Sequence, residues 1–175
     1  MANTKKYVIT SITLGIIAAA SAGLIGVTNL VTRSQIKKNE ENKIKAGIAA
    51  IFGENPEVLR NYEVSGYKYT NYAYQVKSDT YSYAFRTTGS NMYGKISLLV
   101  GFTRTNEPSY VFVGLYIITD EQTYASTLEE NYIDPLNKDP NKLDDVSCGA
   151  TYGATLVKNM VTEAQQVVNT YLGKE

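Results

Sequence analysis

The residues in this chain with the most chemical potential are Asp144-Asp145-Val146-Ser147-Cys148-Gly149-Ala150-Thr151-Tyr152-Gly153-Ala154-Thr155. Two carboxylates come first, then small residues alternating with hydroxyls. An apolar stripe follows at helical spacing: Val157, Met160, Val161, Ala164, Val167, Val168, Tyr171, Leu172. A Gly/Thr turn that opens a helix suits an anionic group. The first backbone N–H groups of a helix have no partner within it, and the macrodipole favours negative charge there. Gly149, Ala150 and Gly153 let a bulky group approach the backbone, and the threonine hydroxyls offer points of attachment. The same pattern also describes a helix start with no ligand at all.

Composition removes most other chemistry. The chain has no His, so it lacks the commonest general base, the commonest zinc ligand and any Ser-His or Cys-His pair. Its single cysteine, Cys148, has no partner for an internal disulfide. With no histidine to deprotonate it, Cys148 reads as a small residue rather than a nucleophile. No metal centre is expected. What remains is carboxylates, hydroxyls and a bound cofactor.

The order of residues narrows the reading. Asp145-Val146-Ser147-Cys148-Gly149-Ala150-Thr151 resembles the flavinylation motif Asp-x-x-Ser/Thr-Gly-Ala-Thr of the FMN-binding domain family. That family includes the G subunit of the Rnf electron-transport complex and the C subunit of the sodium-translocating quinone reductase. The resemblance implies FMN joined by a phosphoester to Thr151, with Cys148 in the usual Ser/Thr place and Gly149 and Ala150 beside it. It implies that Asp144 and Asp145 serve recognition by a flavin transferase. Gly89 to Phe102 resembles the family's Gly-Tyr-x-Gly-x-Ile strand. The segment Asp120 to Ile133 stands where the family has Glu-Thr-Pro-Gly-Leu-Gly; here Thr123 is kept, while Gln122, Tyr124 and Ala125 replace Glu, Pro and Gly. Thr123, Tyr124 and Tyr152 are the expected further contacts to the flavin. Tyrosine is plentiful, 15 residues against no Trp, and most of those rings are expected on half-buried strand surfaces.

These residues need elements to position them. Tyr7 to Val31 carries no charge and is mostly apolar. As a helix at about 1.5 Å per residue it spans a hydrocarbon core of about 30 Å. Lys5 and Lys6 before it and Ala18-Ala19-Ala20-Ser21-Ala22 within it also fit a signal peptide. The apolar run continues to Val31, and its length favours a retained anchor. Basic residues flank both ends (Lys5, Lys6; Arg33, Lys37, Lys38), so charge does not set the orientation. The resemblance implies a domain outside the cytoplasmic membrane. The expected organisation is a cytoplasmic N-terminus over 1–6, an anchor over 7–31, a connecting helix over 34–55 and an extracytoplasmic domain over 56–175.

Ile36, Ile44, Ile48, Ile51 and Phe52 recur at helical spacing before Gly53 and Pro56. From Tyr62 the period becomes two: Tyr62, Val64, Tyr67, Tyr69; Tyr72, Tyr74, Val76; Tyr81, Tyr83, Phe85. Turns are expected at Gly66, Thr70-Asn71 and Ser78-Asp79. Gly94–Thr103 and Tyr110–Thr119 are continuously apolar, as strands buried on both faces are. Arg104 to Pro108 reads as a hairpin loop, Lys138 to Lys142 as an exposed loop, and Ser126 as the cap of a helix at Thr127. The predicted class is α+β: an antiparallel sheet of about five strands flanked by helices, preceded by one transmembrane helix.

Lys and Arg number 17, as do Asp and Glu. Five of the bases lie in the first 38 residues, which hold no acid, so the remainder carries a net charge of −5. A mildly acidic domain argues against nucleic acid as a partner. The function implied by the resemblance is a membrane-anchored electron carrier with one covalent FMN, a subunit of an Rnf-type ferredoxin:NAD oxidoreductase rather than an independent catalyst. Its implied partners are membrane subunits of the complex, a flavin transferase and membrane lipid. The alternatives are a stand-alone flavinylated module of extracellular electron transfer and an unflavinylated surface-binding domain.

Overall fold

The computed structural model describes residues 2–53, 56–77, 82–104 and 110–172. The expected turn at Ser78-Asp79 and residues 105–108 of the expected hairpin loop lie outside the described residues. The chain divides into two compact units, Met1–Asn42 and Lys43–Glu175.

A single helix, α1, runs Ala2–Phe52 and contributes to both units. In the first unit Ile12, Leu14, Ile16, Ile17, Leu24, Ile25 and Val27 are all exposed. This helix is long and apolar enough to cross a membrane. No Pro interrupts it, and it ends at Gly53, whose φ of +95° no β-carbon favours.

The second unit is an α+β domain. Strands β1 (Glu57–Glu63), β2 (Thr70–Lys77), β3 (Ser82–Asn91), β4 (Gly94–Arg104) and β5 (Tyr110–Asp120) form one antiparallel sheet in sequence order. The short helices α2 (Ala125–Leu128) and α3 (Asp134–Lys138), joined by a π-turn over Glu129–Ile133, precede the long helix α4 (Thr151–Val167). The sheet is apolar on both faces, as the unbroken runs of β4 and β5 predict. One face packs Phe85, Leu98, Val100 and Phe102 beneath Val157, Met160, Val161 and Ala164 of α4. Phe85–Phe102 and Phe102–Phe112 stack edge to face, with centroids 5.8 and 6.1 Å apart. The other face packs Val76, Ala84, Leu99 and Ile118 against Ile44 and Ile48 of α1. Each such fully buried aliphatic or aromatic side chain contributes about 1.5–3 kcal/mol of transfer free energy.

The last turns of α1, read from sequence as part of a connecting helix, therefore belong to the domain core. Gly101 makes this possible, because a β-carbon there would stand 2.4 Å from Ile51 Cγ2. The Lys43 ammonium donates to the Ile118 carbonyl at 2.8 Å and fixes the same helix end to β5.

Three local expectations are corrected. Tyr67 and Tyr69, read as a period-two segment beyond a turn at Gly66, form no strand; β1 lies earlier, at Glu57–Glu63, and 64–69 is a connector that does bend at Gly66. Thr70-Asn71 is not a turn but the start of β2. The Glu163 carboxylate of α4 holds the end of this connector. It accepts the N–H groups of Lys68, Tyr69 and Thr70 at 2.9, 2.7 and 2.8 Å, and the Thr70 hydroxyl at 3.0 Å. This ties the connector to α4, while the Tyr69 carbonyl still accepts the Thr88 N–H at 2.8 Å and the Val64 N–H reaches the Asn71 carbonyl at 2.9 Å. Third, α2 begins at Ala125 after Tyr124 with no side-chain cap, so Ser126 is not the cap.

The outer edge of β5 is closed by a side chain. The Asn137 amide accepts the Leu115 N–H at 2.8 Å and donates to the Leu115 carbonyl at 3.1 Å, as a neighbouring strand would.

Glu163→Gln keeps the shape but replaces one acceptor oxygen by a donor facing backbone N–H groups. It should destabilise the domain by about 1–3 kcal/mol. Urea unfolding of the detergent-solubilised chain, followed by far-ultraviolet circular dichroism, measures this as a lower midpoint with an unchanged slope.

Candidate functional site

The segment that carries the motif is held from below. Tyr132 is buried, and its hydroxyl donates to the Leu143 carbonyl at 2.6 Å. Burial, reinforced by Cys148 and by the Asp144 and Asp145 carboxylates, pushes this phenol above its ordinary range, so it stays a donor. Asn131 Nδ2 donates to the Cys148 carbonyl at 3.3 Å. Leu143, Val146 and Cys148 pack partly into the core, which leaves Asp144, Asp145 and Ser147 outside. Asp144 meets Lys158 Nζ at 2.8 Å on the surface, where such a pair contributes at most about 1 kcal/mol.

Gly149, at φ +80°, then turns the chain into α4. Ala150 occupies the capping position, and no side chain caps the helix. The first N–H groups of α4 thus have no partner within the helix, and Thr151 stands exposed at its first position.

Two strand ends meet this helix start. β5 keeps pairing beyond Asp120: Glu121 N–H reaches the Lys95 carbonyl, and Thr123 N–H the Tyr93 carbonyl, each at 2.9 Å. Tyr93 is thereby brought next to Tyr124 and Tyr152, with ring centroids 5.4 and 5.6 Å away. The result is a cleft of about 250 Å³ lined by Tyr93, Gln122, Tyr124, Gly149, Ala150, Thr151, Tyr152 and Gly153. Every lining residue is neutral. Gln122 is only 8% exposed, and its Nε2 has no hydrogen-bond partner among the described residues. A β-carbon on Gly153 would stand 2.7 Å from Gln122 Oε1, so glycine is what lets the helix start close over this amide.

Of the residues expected at a site, the fold gathers Gly149, Ala150, Thr151, Tyr152 and Tyr124 around one cleft. Thr123, Cys148, Asp144 and Asp145 do not line it. The Thr123 hydroxyl donates to the Tyr93 carbonyl at 3.2 Å and braces the ring instead. Sequence reading missed Tyr93 and Gln122. Tyr93 precedes Gly94 at the β3–β4 turn, and Gln122 lies two residues past the end of β5, positions that only the register makes adjacent to α4.

Asp120 supports the same corner. Its Oδ1 accepts the Gln122 N–H at 2.8 Å, while Oδ2 is buried without a partner among the described residues. Burial raises its pKa above 3.8, and the Gln122 N–H partly opposes that shift.

A family model described as the RnfG N-terminal region matches residues 1–51. That match covers α1 up to the residue before Phe52 and supports the RnfG family for this segment. Among curated proteins, none matches the chain.

The Asp120 shift has a definite sign. The folded state holds this proton more tightly than the unfolded state, so the group's contribution to stability falls as pH rises through its raised folded value. Asp120→Asn removes the titration and leaves an acceptor for the Gln122 N–H. Relative to the parent, the variant should gain stability as pH rises from below 3.8 through the raised folded value. Parallel urea titrations across that range measure the difference, and a constant offset would refute the assignment.

Proposed function

We propose that this chain is a membrane-anchored electron carrier that holds one FMN covalently on Thr151, within an Rnf-type ferredoxin:NAD oxidoreductase. The observation that carries the reading is the exposed Thr151 hydroxyl at the uncapped start of α4, opening on a neutral cleft walled by Tyr93, Tyr124 and Tyr152. The match of residues 1–51 to the RnfG N-terminal region supports the complex, and the Asp145-to-Thr151 motif supports the attachment.

The residues present fit the group. A phosphodiester on Thr151 would carry one negative charge, and the free N–H groups at the start of α4 offer it donors and a favourable dipole. Gly149, Ala150 and Gly153 line the cleft with backbone and no large side chain. The three tyrosine rings give a planar heterocycle apolar faces to pack on. When bound, FMN supplies one- and two-electron transfer through its isoalloxazine ring. The protein's part is position and electrostatics, which no histidine is needed to provide. Asp144 and Asp145, exposed ahead of the site, are the surface a flavin transferase would read. The apolar first unit of α1 anchors the chain in lipid, and the acidic domain faces away from the cytoplasm.

Co-expression with a flavin transferase should give a protein with in-gel flavin fluorescence. Thr151→Ala should abolish it with the far-ultraviolet spectrum unchanged. Thr155, one helical turn further on, should carry no label by peptide mass spectrometry. Persistence of label in the Thr151 variant would remove the reading.

Orientation is tested separately. Protease added to cells with a permeable wall should digest the domain from about residue 43 onward while the anchor stays in the membrane. Full protection of that domain would place it on the cytoplasmic side.

A further inference from the structure

The Gln122 amide is a polar side chain buried in the floor of this cleft, and its donor is unused by the fold. It is more than nine-tenths buried, lines the cleft, and has an Nε2 without a partner among the described residues. A buried donor left without a partner is unfavourable, and a bound acceptor would relieve that. The backbone that carries this amide is held in place. The Gln122 backbone N–H is tied to Asp120 Oδ1 at 2.8 Å, and Gly153 and Leu128 close around the region from the helix side.

The electrostatics of the corner are specific. No lining residue is charged, yet the Asp120 carboxyl group lies directly behind Gln122 through that hydrogen bond. In a low-dielectric cleft each added charge acts strongly on its neighbours. A neutral donor at position 122 favours an electron-rich ligand, whereas a carboxylate at the same position would oppose one.

We propose that the Gln122 side-chain amide is the neutral donor that contacts the flavin in this cleft and raises its midpoint potential. The inference rests on FMN being attached at Thr151. A flavin gains negative charge on reduction, so a donor aimed at it stabilises the reduced form more than the oxidised form. A carboxylate does the reverse.

The test uses the full chain, co-expressed with a flavin transferase and purified in detergent. The variants are Gln122→Glu and Gln122→Met, with Thr151→Ala as the control for attachment. Labelled fraction is read by intact mass, and midpoint potential by spectroelectrochemical titration of the covalent flavin. Wild type labelled and Thr151→Ala unlabelled establishes the attachment independently of Gln122. Against that background, Gln122→Glu should have a midpoint more negative than wild type, with Gln122→Met between them. If Gln122→Glu loses label while Gln122→Met keeps it, the Gln122→Met midpoint decides: more negative than wild type supports the proposal, and unchanged overturns it. Equal labelling with midpoints unchanged in both variants overturns the role of Gln122 while leaving attachment intact. Loss of label in both variants, with wild-type circular dichroism, overturns it too, since the residue would then serve the transferase. Absence of flavin from the wild type removes both.

Discussion

The hydrogen bonds from Lys68, Tyr69 and Thr70 to the Glu163 carboxylate fix how α4 lies on the sheet. The apolar stripe of α4 gives the attraction, but an apolar stripe on an apolar sheet tolerates sliding. A carboxylate that takes three successive backbone N–H groups does not, because each bond has its own direction. Glu163 lies 12 residues beyond Thr151, so the start of α4 is held about 18 Å along the axis from this anchor point. The place where Thr151 stands is therefore set at the far end of the helix, by the connector between β1 and β2.

The cleft follows from that placement. β4 and β5 overrun their core contacts by a few residues, and the start of α4 arrives against those overhanging ends. Neither the strands nor the helix form a cavity alone. The rings of Tyr93, Tyr124 and Tyr152 come from three separate places in the chain and meet only because Thr123 keeps pairing with Tyr93 past the end of β5. The supports beneath the motif, Tyr132 to Leu143 and Asn131 to Cys148, belong to the π-turn between α2 and α3. Apart from the Asp144–Lys158 pair, the hydrogen bonds that hold the motif come from beneath it.

Periodicity made the class of fold legible. The period-two tyrosines and the two unbroken apolar runs specified an antiparallel sheet covered on both faces, and the buried face of α4 was readable residue by residue from Val157 to Val168. What escaped reading was long-range. Tyr67 and Tyr69 keep the period of two beyond Gly66, and nothing local says that a glutamate almost a hundred residues away takes the backbone N–H groups of Lys68, Tyr69 and Thr70. Gly53 and Pro56 mark the end of α1 correctly, yet the close seat of Ile51 and Phe52 depends on Gly101 in β4. Motif order pointed to Thr151, Gly149 and Ala150, and the fold brings these three to one cleft. Gln122 was visible only as a substitution in a loop, because its burial arises from the closeness of Gly153.

The amide of Asn137 gives the sheet a direction. An edge strand with free N–H and C=O groups is a template for another strand, and β5 exposes Val111 and Val113 beside it. Asn137 occupies the donor and acceptor of Leu115 at mid-strand with a single side chain, acting as a one-residue sixth strand that cannot itself be extended. Growth of the sheet is therefore stopped on the β5 side, and what remains open is β1, a short strand shifted in register near Val58 and carrying Glu57, Arg60 and Glu63. A domain built this way can crowd against copies of itself at a membrane surface without zipping into a continuous sheet.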